Sequence, residues 1–385
     1  MLRDSPPIRF GLVRVLVYIF GLCLPLSVHA KECEDQEFRE RCHAGFGAYL
    51  DNDSLLFNQY KDEDRNYTMG LAFQWHGRWI RERGVAAPLY WIDSLRPLAA
   101  IAPDYASSGE RYHSLRFGNV AFTPDHLNTR RPLHNDRPYA SLLFLDTSAQ
   151  AVDGAKLNAF TTEFSVGLLG LSISEHFQRW LHKKLQDSPD KPPYPPEGWD
   201  NQISDGGEPT ARYTMRWQHA VVANDDFDLQ LIGEGNIGYH TNLGAGAALR
   251  AGVIQSRWWQ FNAMPIPQAA AIAGVDGRSG SGCSGAPRGR YELYGWAGSM
   301  ARLWGYNVLL QGQFRDSKVT VDSSDIERIV YDYSAGVTAG VCAGHTWHRL
   351  NISYSRRAPE FDGPERRYHS WGGIYYSAAF EPGRR

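Results

Sequence analysis

Residues 331–344 read YDYSAGVTAGVCAG, a stretch in which large apolar residues alternate with small or polar ones. Successive side chains of a β-strand point to opposite faces, so this spacing makes one apolar face and one small or polar face. YELYGWAGSMARLW (291–304) and YHSWGGIYYSAAF (368–380) repeat the pattern, with aromatic residues near their ends. A soluble β-sandwich would alternate in the same way. Terminal aromatics, however, suit a strand that crosses a membrane with one face to lipid and one to a lumen. The last such stretch ends at Phe380, five residues before the C-terminus. The reading is an all-β protein, a transmembrane antiparallel β-barrel.

The N-terminus agrees with this. Arginines at 3, 9 and 14 precede an apolar run from Val15 to Val28, followed by Val28-His29-Ala30, a small-residue cleavage signature. The run is too short to span a bilayer as a helix, and Leu22 before Cys23 argues against lipid attachment there. Residues 1–30 are therefore expected to be a signal peptide, and 31–385 a barrel domain beginning at Lys31. Removing the leader's three arginines and one aspartate from the chain's 40 basic and 42 acidic residues leaves 37 and 41, a net charge of −4. Such a chain has no basic field for nucleic acid. Cys33 and Cys42 lie close together at the mature start, and an exported protein meets an oxidising compartment, so a disulfide between them is expected. Cys283 and Cys342 have no assigned pairing. Nothing in the chain fixes an oligomeric state.

Twelve strands can be marked, at 43–57, 66–79, 111–123, 140–151, 157–168, 210–222, 227–238, 242–254, 290–304, 329–344, 347–357 and 369–380. A further candidate, YNVLLQG (306–312), follows the ninth almost without a break and reads as an extension or loop excursion, because bacterial barrels close with even strand numbers. With the N-terminus in the periplasm, the connections 58–65, 124–139 and 169–209 are extracellular. By the same parity 80–110 and 255–289 fall on the periplasmic side, where turns are normally short. They are either insertions or the sign of a miscounted strand.

The third extracellular connection contains LSISEHFQRWLHKKLQD (171–187). At 100° per residue, a helix here gathers Ile173, Phe177, Trp180, Leu181 and Leu185 on one arc and Glu175, Gln178, His182 and Gln186 on the other. His182 thus sits on the polar face of a rim helix, beside DNDS (51–54), DRNYTMG (64–70) and the polar segment 123–141. Solvated charge would explain Arg179, Lys183 and Lys184 as well as phosphate binding would. Asn52 and Asp53 would pass as turn formers, and Asp136 with Arg137 as a structural ion pair.

Six segments in order, DNDS, DEDRNYTMG, NDRPYAS, GLLGLSISEHFQRWLH, EGWDNQISDGGEP and RRAPEFDGPERRYHSWGG, resemble the LpxR-type lipid A 3′-O-deacylases, outer-membrane barrels of Gram-negative bacteria. The resemblance implies a twelve-stranded barrel with a calcium-dependent site at the outer rim, facing the extracellular leaflet, between the wall and a loop helix. Its implied reaction removes the 3′-linked acyloxyacyl group from lipid A of lipopolysaccharide. It places the catalytic histidine on His182, four residues after Gln178, and the other catalytic positions on Asn52, Asp53 and Thr68, with Asp53 also a ligand of Ca2+. A lysine of the family falls near Thr129, where Arg130 or Arg131 could supply the charge, though with different geometry. Gln178 and Lys183 join these two arginines as candidate substrate contacts.

The chemistry is coherent from the residues alone. A neutral imidazole suits a general base near pH 7. The chain has no Gly-x-Ser-x-Gly elbow, and a carboxylate such as Asp53 can instead hold a hard cation that stabilises an oxyanion. Asn52 and Asp53 are adjacent, so both can serve one site only if a bulge interrupts the strand. Trp199 reads equally as an interfacial anchor or a substrate contact. Two other readings compete: a non-enzymatic porin or channel in which His182 is incidental, and a barrel phospholipase acting on glycerophospholipids.

Overall fold

The computed structural model of the protein describes residues 44–53, 55, 66–95, 110–127, 129–185, 196–204, 206–263, 290–315, 317–344 and 346–380, and for 66, 110, 181–185 and 380 the backbone alone. The leader, Cys33 and Cys42 lie outside the described residues. Twelve antiparallel strands close into a barrel: β1 (Ala44–Asn52), β2 (Asn66–Gly77), β3 (Glu110–Thr123), β4 (Ala140–Asp153), β5 (Asn158–Leu169), β6 (Glu208–Ala223), β7 (Phe227–Gly238), β8 (His240–Val253), β9 (Tyr291–Asn307), β10 (Ile329–Ala343), β11 (Thr346–Arg357) and β12 (His369–Phe380). Each pairs with its sequence neighbours, and β1 closes on β12 from Ala44↔Phe380 to Asn52↔Gly372. Closure leaves no unpaired edge, the condition for putting strands in lipid. No described helix is long and apolar enough to cross a membrane.

Four short α-helices accompany the strands among the described residues: α1 (Trp79–Glu82) and α2 (Ala87–Asp93) between β2 and β3, α3 (Ile173–Leu185) between β5 and β6, and α4 (Val308–Gln311) after β9. The segment 306–312 is thus the end of β9 followed by a helical turn. Asn307 begins that turn by accepting the amide of Leu309 on its side chain at 3.1 Å. The strand count stands, so the two long connections on the side of Ala44 and Phe380, the near rim, are insertions. β1 stops at Asn52, short of the expected 57, because the chain there turns across the outside of the wall. A Cβ on Gly372 would lie 2.4 Å from Leu55 O, so only glycine lets the backbone lie this flat.

The alternation sorts side chains as expected. Phe117, Val166, Trp217 and Val337 are exposed on the outer wall. The residues between them point inward, and several of these strands carry charged side chains there. Glu163 on β5 meets Arg212 at 2.7 Å and Arg116, two strands away, at 3.3 Å. Glu234 on β7 meets Arg216 at 3.1 Å and Arg302, again two strands away, at 3.4 Å. Pairs that skip a strand can form only across a lumen. Each charge there is buried, so each needs its partner: breaking such a pair typically costs about 3–5 kcal/mol.

The near mouth is filled from below. Part of the β8–β9 insertion, residues 254–263, enters the lumen: Gln150 and Gln218 donate to Trp259 O and Phe261 O at 3.3 and 3.4 Å, and the amides of Gln255 and Ser256 donate to Glu292 at 3.1 and 3.0 Å. Phe261 packs edge-on against Tyr294 and Trp296 of β9. Cys342, at the near end of β10, is disulfide-bonded, in keeping with an oxidising compartment.

Candidate active site on the outer wall

The far rim, opposite the chain ends, brings three of the candidates together. Asn52 Nδ2 donates to Thr68 O at 2.8 Å, and the amide of Asp53 donates to the same carbonyl at 3.3 Å. β1 has no bulge: it pairs without a register shift up to Asn52, and Asp53 lies in the turn after it. The bulge is on β2, where the register with β3 slips between Tyr67 and Met69 and leaves Thr68 as the extra residue. Tyr67 therefore faces the lumen, bonded to Asp51 at 3.2 Å. Thr68 faces the outer wall, its hydroxyl 2.7 Å from that of Thr123. Thr123 shares its face with exposed Phe117 and was not singled out from sequence; only the register of two strands identifies it. Thr68 and Asp53 are buried and Asn52 half-buried.

α3 docks on this same strip of outer wall, by its polar side. Ser174 Oγ donates to Asn119 Oδ1 of β3 at 2.9 Å, and Gln178 is buried with Oε1 accepting from Trp199 Nε1 at 2.9 Å. Ile173 and Trp180, from the apolar arc, are exposed instead. The amphipathic reading thus holds for the helix, with part of its polar side turned to the wall, while Ile173 and Trp180 are exposed beside His176 and Arg179. His182 lies one turn beyond Gln178, with Lys183 next to it; their side chains lie outside the described residues.

Trp199 is not an exposed interfacial anchor. It is buried in a cluster with Met69, Ala121 and Tyr139, against which Phe177 packs, and its ring sits 5.0 Å from that of Tyr139. Met69 follows Thr68 directly, so this cluster joins the bulge to α3. Arg130 is exposed and bonds Glu197 at 3.4 Å, while its carbonyl accepts from Asn201 at 3.0 Å. Arg131 is exposed beside it. Both arginines therefore sit in the loop that borders Trp199. Asp136 and Arg137 do not pair with each other through their side chains. Asp136 takes Arg367 at 2.8 Å and Arg137 takes Glu360, so the two tie the 124–139 loop to the β11–β12 connection.

Among the described residues no cluster of three histidine, cysteine, aspartate or glutamate side chains has the spacing of a metal site. A hard cation at this rim would have to be met by mixed oxygen donors: the Asp53 carboxylate, the Asn52 amide oxygen, backbone carbonyls and water. That donor set fits calcium, which accepts all four.

A sequence model of the outer membrane protein LpxR family matches residues 15–380. Among solved structures, LpxR from Salmonella typhimurium superposes with a TM-score of 0.60 at 16% identity, over 87% of this chain and 99% of that one. The β domain of the Bordetella autotransporter Brka gives 0.40 at 10% identity, over 88% and 99%. Comparison with curated protein sequences matched none. With a family match running over nearly all of the sequence and a closed twelve-stranded barrel beneath it, the chain belongs to the LpxR family of outer-membrane proteins.

Proposed function

We propose that this protein is an ester hydrolase that removes the 3′-linked acyloxyacyl group from lipid A, with His182 as general base and calcium as cofactor. The observation that carries the reading is the polar strip formed by Asn52, Asp53, Thr68 and Thr123 on the lipid-facing wall at the far rim, covered by the helix that bears His182. Barrels of this class keep their termini in the periplasm, which puts the far rim at the lipopolysaccharide leaflet. Polar groups on the lipid-facing side of a barrel are costly unless they serve a purpose such as binding a membrane-bound substrate.

In this mechanism the His182 imidazole takes a proton from water as the water oxygen bonds to the ester carbonyl carbon. The carbonyl π electrons move to oxygen. When they return, the bond to the sugar oxygen breaks, and the imidazolium gives its proton to that leaving alkoxide, which restores the base. Asp53 and Asn52 would hold the calcium ion. When bound, it supplies Lewis-acid charge that polarises the ester carbonyl. The hydrogen bonds to Thr68 O fix Asn52 and the Asp53 backbone, so the donors are held before substrate arrives. Arg130 and Arg131, exposed at the same rim, would meet a lipid A phosphate, and Lys183 would add charge on the helix.

The charged lumen and filled near mouth argue against a channel. The test is to express the protein in a strain with hexa-acylated lipid A and weigh the extracted lipid. Loss of one 3′ acyloxyacyl unit supports the reading, lysophospholipid in the extract would mark a phospholipase, and no change would leave no enzyme of either kind. His182→Ala should lower the rate by about 10² to 10⁴ while the barrel keeps its heat-modifiable migration.

A further inference from the structure

The insertion between β2 and β3 climbs the outside of the barrel. Asp93, at the end of α2, accepts from Tyr213 at 2.6 Å and from Thr162 at 3.0 Å. Tyr213 and Thr162 share their faces with exposed Trp217 and Val166, so both point away from the lumen. Tyr90, one turn earlier, bonds His113, which shares its face with exposed Phe117. Thr162 is four residues into β5 from Asn158 at the near rim. At ~3.3 Å per residue and a tilt of ~40°, that is about 10 Å up an apolar band about 25 Å tall.

α2 is inverted relative to a helix in water. Its polar side chains, Tyr90 and Asp93, face protein, and Leu89 is fully buried. Its outer side carries Ala87, Pro88, Trp91 and, just beyond, Leu95, with Trp91 68% exposed. α1, at the foot of the insertion, exposes Glu82 and Arg83 instead. Charge at the rim and a largely apolar face above it, where exposed Ser94 returns its hydroxyl to Trp91 O at 2.7 Å, follow the polarity profile of one bilayer leaflet.

We infer that α2 is immersed in the inner leaflet of the outer membrane, its Ala87–Leu95 face an interaction surface for the acyl chains of glycerophospholipids. The helix seals a polar patch on the wall that lipid could not cover, because an unpaired Thr, Tyr or His at this depth would cost several kcal/mol. The protein is then inserted laterally on both sides of the bilayer, by α3 in one leaflet and α2 in the other.

The test places the photo-cross-linker p-benzoylphenylalanine at Trp91 in the full chain, in native outer membranes. Val337 on the bare wall serves as the lipid-contact control and Arg83 as the rim control. Irradiation should give a glycerophospholipid adduct on the residue-91 peptide by mass spectrometry, at a yield comparable to that at 337 and at least several-fold above that at 83. A cross-linked dimer or other protein adduct at 91 would make this face a protein interface and overturn the inference. So would an adduct with lipid A, or no lipid adduct at 91 while 337 gives one. Because the probe could disturb α2, the same experiment at Leu95 must agree, with heat-modifiable migration confirming a closed barrel in each case.

Discussion

Trp199 Nε1 donates to Gln178 Oε1 at 2.9 Å, in a site where both residues are buried. One turn of helix separates Gln178 from His182, so this bond sets the rotation and height of α3 over the wall. Trp199→Phe keeps an aromatic ring against Tyr139 but removes a donor from a buried acceptor, a loss of about 1–3 kcal/mol. If part of that appears as misplacement of His182, kcat for lipid A deacylation should fall about tenfold, equivalent to 1.4 kcal/mol, with KM little changed. A loss confined to thermal stability, with kcat intact, would reduce Trp199 to packing.

The Arg137–Glu360 pair closes the far rim across 223 residues of sequence. Burial alone would raise the Glu360 carboxyl above its ordinary 4.5, but Arg137 and Arg357 together hold it well below. A carboxyl depressed in the folded state contributes stability that is complete above its ordinary value and is lost as pH falls. The midpoint of heat-modifiable unfolding should therefore decline below about pH 4.5 in the parent, and decline less in Glu360→Gln. Arg137→Ala should cost about 3 kcal/mol at neutral pH, the lower end for a broken buried pair, because Arg357 remains 3.3 Å from Glu360. Identical acid profiles for parent and Glu360→Gln would show that the pair does not carry this dependence.

The barrel was legible because a period of two survives any uncertainty about ends: strands such as 227–238 and 369–380 were bounded to the residue. What escaped was what one strand cannot know about another. Alternation of faces asked for a bulge at Asn52 and Asp53, but β1 ends there in a turn instead, and the bulge at Thr68 depends on how β2 registers against β3. The same holds for Thr123, brought to Thr68 by pairing across 55 residues. The periodicity of α3 separates a polar from an apolar arc but does not say which of them meets the wall. Here the polar arc meets the wall, and Gln178 is buried where Ile173 is not. The two long near-rim connections looked like a miscount because outer-membrane barrels rarely carry them. One fills the mouth and the other scales the wall.

Closure of the lumen has an electrical consequence. Arg302 bridges Glu234 and Asp332 across the interior, and residues 254–263 occupy the near mouth. Purified protein in planar bilayers should show no stable conductance steps. Trp259→Ala with Phe261→Ala removes two buried rings from the mouth, and should produce flickering openings by loosening the segment without breaking the strand ladder. Steady porin-like conductance from the parent protein would revive the channel reading.

Asp53 offers the sharpest test of the cofactor, because its backbone is held independently of its charge. The amide bond to Thr68 O persists whatever the side chain, so Asp53→Asn should fold as the parent does while losing the carboxylate that calcium prefers. Ligand that binds only the folded state stabilises it by RT ln(1 + [L]/Kd), about 2.7 kcal/mol when calcium is a hundredfold above its Kd. Calcium should therefore raise the unfolding midpoint of the parent and not that of Asp53→Asn, and the calcium needed for half-maximal deacylation should rise at least tenfold in the variant. Asn52→Ala should show a smaller shift, since an amide oxygen is the weaker ligand. Magnesium, which demands a tighter octahedral site, should protect less than calcium at equal concentration. Equal calcium protection of parent and Asp53→Asn would remove Asp53 from the ligand set, and full activity of both in chelator would remove calcium from the mechanism.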